Sequence, residues 1–163
     1  MAMEFQMPEG MKRVYYHTEH TECMTYFQIT GKFDPDAISA YLRLVPERTQ
    51  SIGDMKLNGT TYDYALWRFG TVKSTRLDIA NQMMQTIDPL LTKADLLRKI
   101  KLTYDAQLLL QVVPLVRYDE PAPMLAPSMA VMRFCMETGT EIDIDLYVGC
   151  PDEMTGGQET EEL

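Results

Sequence analysis

From Glu141 to Val148 the chain alternates without exception: Glu141, Asp143, Asp145 and Tyr147 fall on one side, Ile142, Ile144, Leu146 and Val148 on the other. A helix would scatter those groups around its circumference, because side chains repeat there every 3.6 residues and not every two. A strand buried on both faces would be apolar throughout. The pattern predicts a strand with one dry and one wet face, and with it a sheet covered by other elements on one side.

The rest of the chain supplies those elements. The run from about Tyr15 to Thr30 is rich in Tyr, Thr and Phe and reads as a strand, with Phe27 and Ile29 on one face and Tyr26, Gln28 and Thr30 on the other. Asp34-Pro35-Asp36 predicts a helix start: a capping carboxylate, a proline at the first helical position and an acid at the positive end of the dipole. Ala37, Ile38, Tyr41, Leu42 and Val45 form its apolar stripe, and Pro46 stops it.

Residues 48–69 read as a hairpin. Asn58-Gly59 suits a type I′ turn, and the return strand sets Tyr62, Tyr64 and Leu66 against Ala65, Trp67 and Phe69. Ser74 or Thr75 can cap a second helix with Leu77, Ala80, Met84, Ile87 and Leu91 inward and a break at Asp88-Pro89. Thr92-x-x-Asp95 resembles a capping box for a short helix carrying Leu96, Leu97 and Ile100. Leu108–Val113 is apolar enough for a buried strand, with Pro114 marking an edge or a bulge. A loop over Glu120–Pro127 leads to a helix with Ala130, Val131, Phe134 and Cys135 inward and Gly139 as a left-handed cap.

The order is β-α-β-β-α-(α)-β-α-β. Its first six principal elements follow the split, ferredoxin-like βαββαβ arrangement, and a further α-β unit extends it. The expected class is α+β: a mainly antiparallel sheet with helices on one face. A single domain over residues 13–149 is expected between a loose leader (residues 1–12) and an acidic, disordered tail (residues 150–163). With 45% apolar and 24% charged residues, a chain of 163 residues can hold such a core without disulfides or a structural metal.

Charge narrows the partners. The net charge is −9, of which the five acids of residues 151–163 supply more than half. An acidic body repels phosphate backbones, so nucleic acid is excluded and a basic protein is favoured over a membrane surface. The longest uncharged stretches, Ala106–Val116 and Pro121–Met132, fall short of a membrane span. Three cysteines without a close pair, Cys23, Cys135 and Cys150, read as reduced thiols of a cytoplasmic protein, and the N-terminus lacks the pattern of a signal peptide.

Tyr26-Phe27-Gln28-Ile29-Thr30-Gly31, Phe33-Asp34-Pro35-Asp36-Ala37-Ile38, Leu42, Leu44, Pro46, Gly53-Asp54 and Trp67 come in a distinctive order. They continue into the Leu77–Leu91 helix, with its Asp88-Pro89 end, and the closing Ile142–Tyr147 strand. Over roughly residues 22–148 the chain thereby resembles the bacterial family catalogued as domain of unknown function 4279. One departure is Arg43, where the resemblance leads us to expect a small residue, often Gly. The resemblance implies a small cytoplasmic α/β domain and assigns no activity and no catalytic residue.

Four residues are candidates for binding: Asp143, Asp145, Tyr147 and Trp67. On a strand, residues two apart lie about 6.6 Å apart on one side. At that distance two carboxylates repel by roughly 0.6 kcal/mol in water and about 2.5 kcal/mol at an effective dielectric of 20. Exposed, the pair is harmless; buried, it demands a cation, a proton or several donors. Trp67, flanked by Arg68 and Phe69, reads either as an anchor of a binding surface or as core. His17-x-x-His20-x-x-Cys23 offers three zinc-type ligands, but a strand would turn its histidines to opposite faces. Met83, Met84, Met129, Met132 and Met136 sit at helical spacings and read as packing.

No G-x-S-x-G, HExxH, Walker A or G-x-G-x-x-G motif is present, and no cofactor is implied. Cys135 and Ser128 read as a core thiol and a helix-start residue. Two functions remain open. The first is a non-enzymatic protein-interaction module on the wet sheet face, with a basic protein as partner; immunity to a co-encoded toxin is one concrete version, and a homo-oligomer is compatible with it. The alternative is a small-ligand or divalent-metal-dependent enzyme centred on Asp143 and Asp145, holding Mg²⁺ or Ca²⁺ through oxygen ligands.

Overall fold

Asp34 accepts a hydrogen bond from the Asp36 amide at 3.0 Å and Pro35 takes the first helical position, so the first helix starts where the sequence predicts. It is one of four α-helices among residues 19–149, which are the residues described by the computed structural model. The expected leader, the start of the first strand near Tyr15, His17 and the acidic tail lie outside them.

In chain order the elements are β1 (Glu22–Gly31), α1 (Pro35–Leu42), β2 (Arg48–Gln50), β3 (Ala65–Ser74) and α2 (Ile79–Ile87). A 3-10 segment (Asp88–Lys93), α3 (Ala94–Tyr104), β4 (Gln107–Arg117), α4 (Met129–Thr138), β5 (Glu141–Ile144) and β6 (Tyr147–Gly149) follow. The fold is α+β. The strands form one six-stranded sheet in the order β2-β3-β1-β4-β5, with β6 also on β4. All pairs are antiparallel except β4 with β5 and with β6.

The core lies on one face of this sheet. Phe27, Ile29, Ala65, Trp67, Leu108, Leu110 and Val112 point from the strands into a layer made by Ile38 and Leu42 of α1, Ile79, Met83 and Ile87 of α2, Leu97 and Ile100 of α3, and Val131 and Phe134 of α4. Burying each large side chain is worth about 1.5–3 kcal/mol. Phe134 meets Phe27 edge-on at 6.2 Å between ring centroids.

Several expectations are corrected. In α1 only Ile38 and Leu42 of the expected stripe are buried, and the helix ends at Leu42, not at Pro46. Arg43 caps it at φ 52°, a left-handed conformation that favours glycine, which accounts for the small residue expected there. The Asn58-Gly59 turn forms, but only Gly59 has positive φ. Its amide reaches the Lys56 carbonyl and the Lys56 amide reaches the Thr60 carbonyl, giving a turn closed by a glycine bulge in place of type I′.

The second helix is capped by Asp78, whose side chain accepts from the Asn81 amide, because β3 continues through Ser74. Its buried face is Ile79, Gln82, Met83, Thr86 and Ile87, a stripe containing two polar residues that apolar periodicity passes over. Thr25 and Thr86 hydroxyls meet at 2.8 Å, and Gln82 Nε2 donates to the Cys23 and Val72 carbonyls. Thr92 falls inside the 3-10 segment, so no capping box forms and α3 starts at Ala94 without a side-chain cap. In α4, capped by Ser128 and ended by Gly139 as expected, Ala130 is exposed.

Where α2 approaches the sheet, Gly70 and Thr71 of β3 together oppose Tyr26 of β1, a bulge between the Thr25–Val72 and Phe27–Phe69 pairs. Gly70 has φ +72°, and a Cβ there would lie 2.8 Å from the Thr86 carbonyl oxygen. Glycine is therefore required twice over, by backbone conformation and by space.

The final strand is the largest correction. The Val112 carbonyl accepts from the Asp145 amide at 2.9 Å, so residues of that parity direct their polar groups at β5 and β6. Pro114 is the next of them, and it has no N–H to offer the Asp145 carbonyl. The predicted continuous strand is broken at 145–146 and resumes as β6 in unchanged register, Val112 facing Ile144 and Leu115 facing Tyr147. β4 itself runs on through Pro114, as an interior strand. Nor is the apolar side of the ribbon dry: Ile142 packs on the core, but Ile144, Leu146 and Val148 are 41%, 51% and 66% exposed. The ribbon lies at the sheet margin, whereas α4 sends Phe134 two strands inward to β1.

Candidate functional site

The face of the sheet away from the helices carries the candidate acids. Strand pairing fixes which residues share it, because directly opposed residues point the same way. One row crosses five strands: Arg48, Arg68, Gln28, Leu109, Glu141. The next is Tyr26, Gln111, Asp143. A third holds Lys73, Met24 and Val113, with Asp145 beyond them by register, and a fourth Glu22, Leu115 and Tyr147. The face is therefore polarised, with arginines toward the β2 margin and carboxylates at the β5–β6 margin.

Its polar groups are largely paired. Gln111, almost fully buried, donates from Nε2 to Asp143 Oδ2 at 2.8 Å. Tyr147 donates its hydroxyl to Asp145 Oδ2 at 2.6 Å. Lys73 and Glu22 pair at 3.0 Å. The Arg68 guanidinium lies over the Tyr26 ring, 3.8 Å from its centroid, with Nη2 3.4 Å from Gln28 Oε1. Burial holds the Arg68 guanidinium below its ordinary value; Tyr26 opposes that shift, and Arg48 across the ladder adds to it.

Of the four candidates, Asp143, Asp145 and Tyr147 come together on this face, and both carboxylates are exposed with a donor of their own. Trp67 does not join them. It has 0% exposure, stacks on Phe69 at 5.6 Å and donates from Nε1 to Ser39 Oγ at 3.0 Å, so it has no surface to offer a partner. Its parity in β3 points it into the helical layer, and the polar indole edge is satisfied there. Gln111 and Arg68 are additions that sequence reasoning missed. Gln111 was legible as a polar residue inside the apolar run 108–113, and Arg68 as the wet neighbour of a buried tryptophan.

Of the zinc-type set His17 lies outside the described residues, and the other two differ in setting. His20 is on the surface, Nδ1 2.9 Å from Glu120 Oε1, whereas Cys23 is 1% exposed in the core with its thiol pushed up by burial to about 11. Cys135 is likewise buried and raised to about 11. Among the described residues no group of three or more His, Cys, Asp or Glu side chains is placed to hold a metal ion. Met83 packs as expected, but Met129, Met132 and Met136 lie on the outer side of α4 because Val131, Phe134, Cys135 and Thr138 take its inner side.

A separate groove of about 340 Å³ lies between α1 and α3, with Ile38 and Ile100 at its base and Tyr41, Lys99, Thr103 and Tyr104 around it. It explains why Ala37 and Tyr41 are not buried, and it touches none of the sequence candidates. No described helix is long and apolar enough to cross a membrane.

The family described as Domain of unknown function (DUF4279) matches residues 21–149, and the chain belongs to it. No curated protein and no solved structure matches the chain.

Proposed function

We propose that this DUF4279 member is a non-enzymatic interaction module, and that the acidic margin of the sheet face away from the described helices docks a basic segment of a protein partner. The observation carrying this reading is the convergence of Glu141, Asp143, Asp145 and Tyr147 on an open sheet margin, with both aspartates exposed and backed by donors. A carboxylate held by one neutral hydrogen bond keeps further acceptor capacity for an incoming Lys or Arg. Tyrosine adds a rigid amphipathic contact at low entropic cost. The exposed Ile144, Leu146 and Val148 on the other side of the same ribbon suit a strand-like segment that alternates basic and apolar residues. Two-fold pairing of this margin with a second copy would oppose acid to acid, which favours a different partner over a homo-oligomer. We also read the first six principal elements as the split, ferredoxin-like order, and the chain as cytoplasmic; reduced, buried Cys23 and Cys135 are consistent with that compartment.

The test uses a synthetic peptide of alternating Lys and Val titrated into the labelled protein. Shift changes confined to residues 107–117 and 141–149, weakened by salt and lost in Asp143→Asn/Asp145→Asn, are the expected result. Binding that maps to the helical layer, or that the double variant leaves intact, overturns the reading.

A further inference from the structure

The opposite half of the same face carries a pair that the acidic margin does not use. Arg48 and Arg68 stand directly opposite each other on β2 and β3. Like charges in that relation destabilise a sheet, so the pair calls for a compensating anion. None of the described carboxylates forms an ion pair with either arginine, and Glu47 favours the charged Arg68 only through its field. The ion pairs among the described residues are His20–Glu120, Lys73–Glu22, Arg98–Asp95 and Arg117–Asp119. Glu47, the nearest acid in the chain, turns its Oε1 to the Thr71 amide at 2.9 Å.

Arg68 is held in place all the same. Its Cζ lies 3.8 Å from the Tyr26 ring centroid, and its Nε is buried, which leaves the outer Nη edge of the guanidinium as the part that can meet a ligand. Its Nη2 has only a 3.4 Å contact to Gln28 Oε1. A guanidinium is a planar fork that matches two oxygens of a carboxylate or phosphate, and one already immobilised by a ring loses little freedom on binding. Arg48, exposed beside it, adds a second positive charge within about 5.5 Å at the Cβ level.

We propose that Arg48 and Arg68 form an oxyanion-binding site on the sheet face away from the described helices, in which the two Nη groups of Arg68, braced by Tyr26, take two oxygens of a phosphate or carboxylate group and Arg48 neutralises the remaining charge. The site stands apart from the basic-partner reading, since its ligand is anionic and small and its residues lie at the other margin.

Inorganic phosphate, and separately acetate, are titrated into the full chain at constant ionic strength while the arginine side-chain N–H signals are followed by NMR. Saturable shifts centred on Arg68, Arg48 and Gln28 are expected, with phosphate preferred if a dianion is the natural ligand and acetate if a planar carboxylate is. Arg68→Lys keeps the charge and removes the fork, and should weaken binding about tenfold. Arg48→Gln, an exposed substitution, should weaken it as well, whereas Asp143→Asn should leave it unchanged. Absence of saturable binding by either anion, or binding indifferent to both arginine variants, overturns the proposal. Loss of peptide docking in Asp143→Asn/Asp145→Asn with phosphate binding intact separates the two sites.

Discussion

Gln82→Met is the sharpest test of how the helical layer is fixed to the sheet. Gln82 is 3% exposed on the inner face of α2, and its Nε2 donates to the Cys23 carbonyl at 2.6 Å and the Val72 carbonyl at 2.9 Å. One side chain thus joins two neighbouring strands beside the Gly70–Thr71 bulge, where the ladder is irregular. Methionine keeps the length and much of the volume but has no donor. Both carbonyls also belong to the β1–β3 ladder, so each loses one hydrogen bond worth about 0.5–1.5 kcal/mol. Against that, Gln82 Oε1 is itself buried without a partner, and removing it returns roughly 1–2 kcal/mol. The net loss should be about 1 kcal/mol, which lowers Tm by roughly 2–4 °C in a chain of this size. Urea unfolding at unchanged m gives the difference directly. Gln85→Met on the exposed side of the same helix is the control and should change stability by no more than about 0.5 kcal/mol. If Gln82→Met unfolds within that same margin of the parent, the polar clamp is not what fixes α2 to the sheet.

Three further outcomes are expected. Arg43→Gly relieves a left-handed backbone worth about 1–2 kcal/mol and returns about 0.5–1 kcal/mol as chain entropy, so it should raise Tm by a few degrees; a lower Tm contradicts the strain. In a Cys150→Ser background, Cys23 and Cys135, both pushed up to about 11, should resist alkylation at pH 8 until the protein unfolds, and rapid labelling of the folded chain counts against their burial. The Thr21 amide, and then His20, hold the Glu120 carboxyl below its ordinary value. Its contribution is therefore complete above that ordinary value, near about 4.3, and disappears as pH falls through the lower folded value. The Tm gap between the parent and Glu120→Gln should close on acidification, and a gap that widens in acid reverses the argument.

Local chemistry was readable along the chain. Asp34-Pro35-Asp36 began its helix, Ser128 and Gly139 bounded theirs, Asp88-Pro89 ended α2, and Phe27, Ile29 and Trp67 took the parities that bury them. Each of these outcomes depends on groups a few residues apart. Features set by distant groups follow a different rule. Gln82 and Thr86 turn inward because strand carbonyls and Thr25 wait for them, and no periodicity of apolar residues can register that. Spacing alone does not say which side of a helix meets the sheet, so it cannot tell the three outer methionines of α4 from packing residues.

The candidate site divides along the same line. That Glu141, Asp143, Asp145 and Tyr147 share a side follows from the two-residue period of any strand, and the sequence by itself determines it. Whether the strand continues was decided elsewhere: Pro114, adjacent only after folding, withholds one N–H and parts β5 from β6 at 145–146. The pairing of Arg48 with Arg68, and of Gln111 with Asp143, also exists only once the strands are in register. Alternation is a property of one strand's backbone, whereas hydrogen-bond supply and charge pairing across a sheet belong to its neighbours, which the chain order leaves open until the tertiary fold is made.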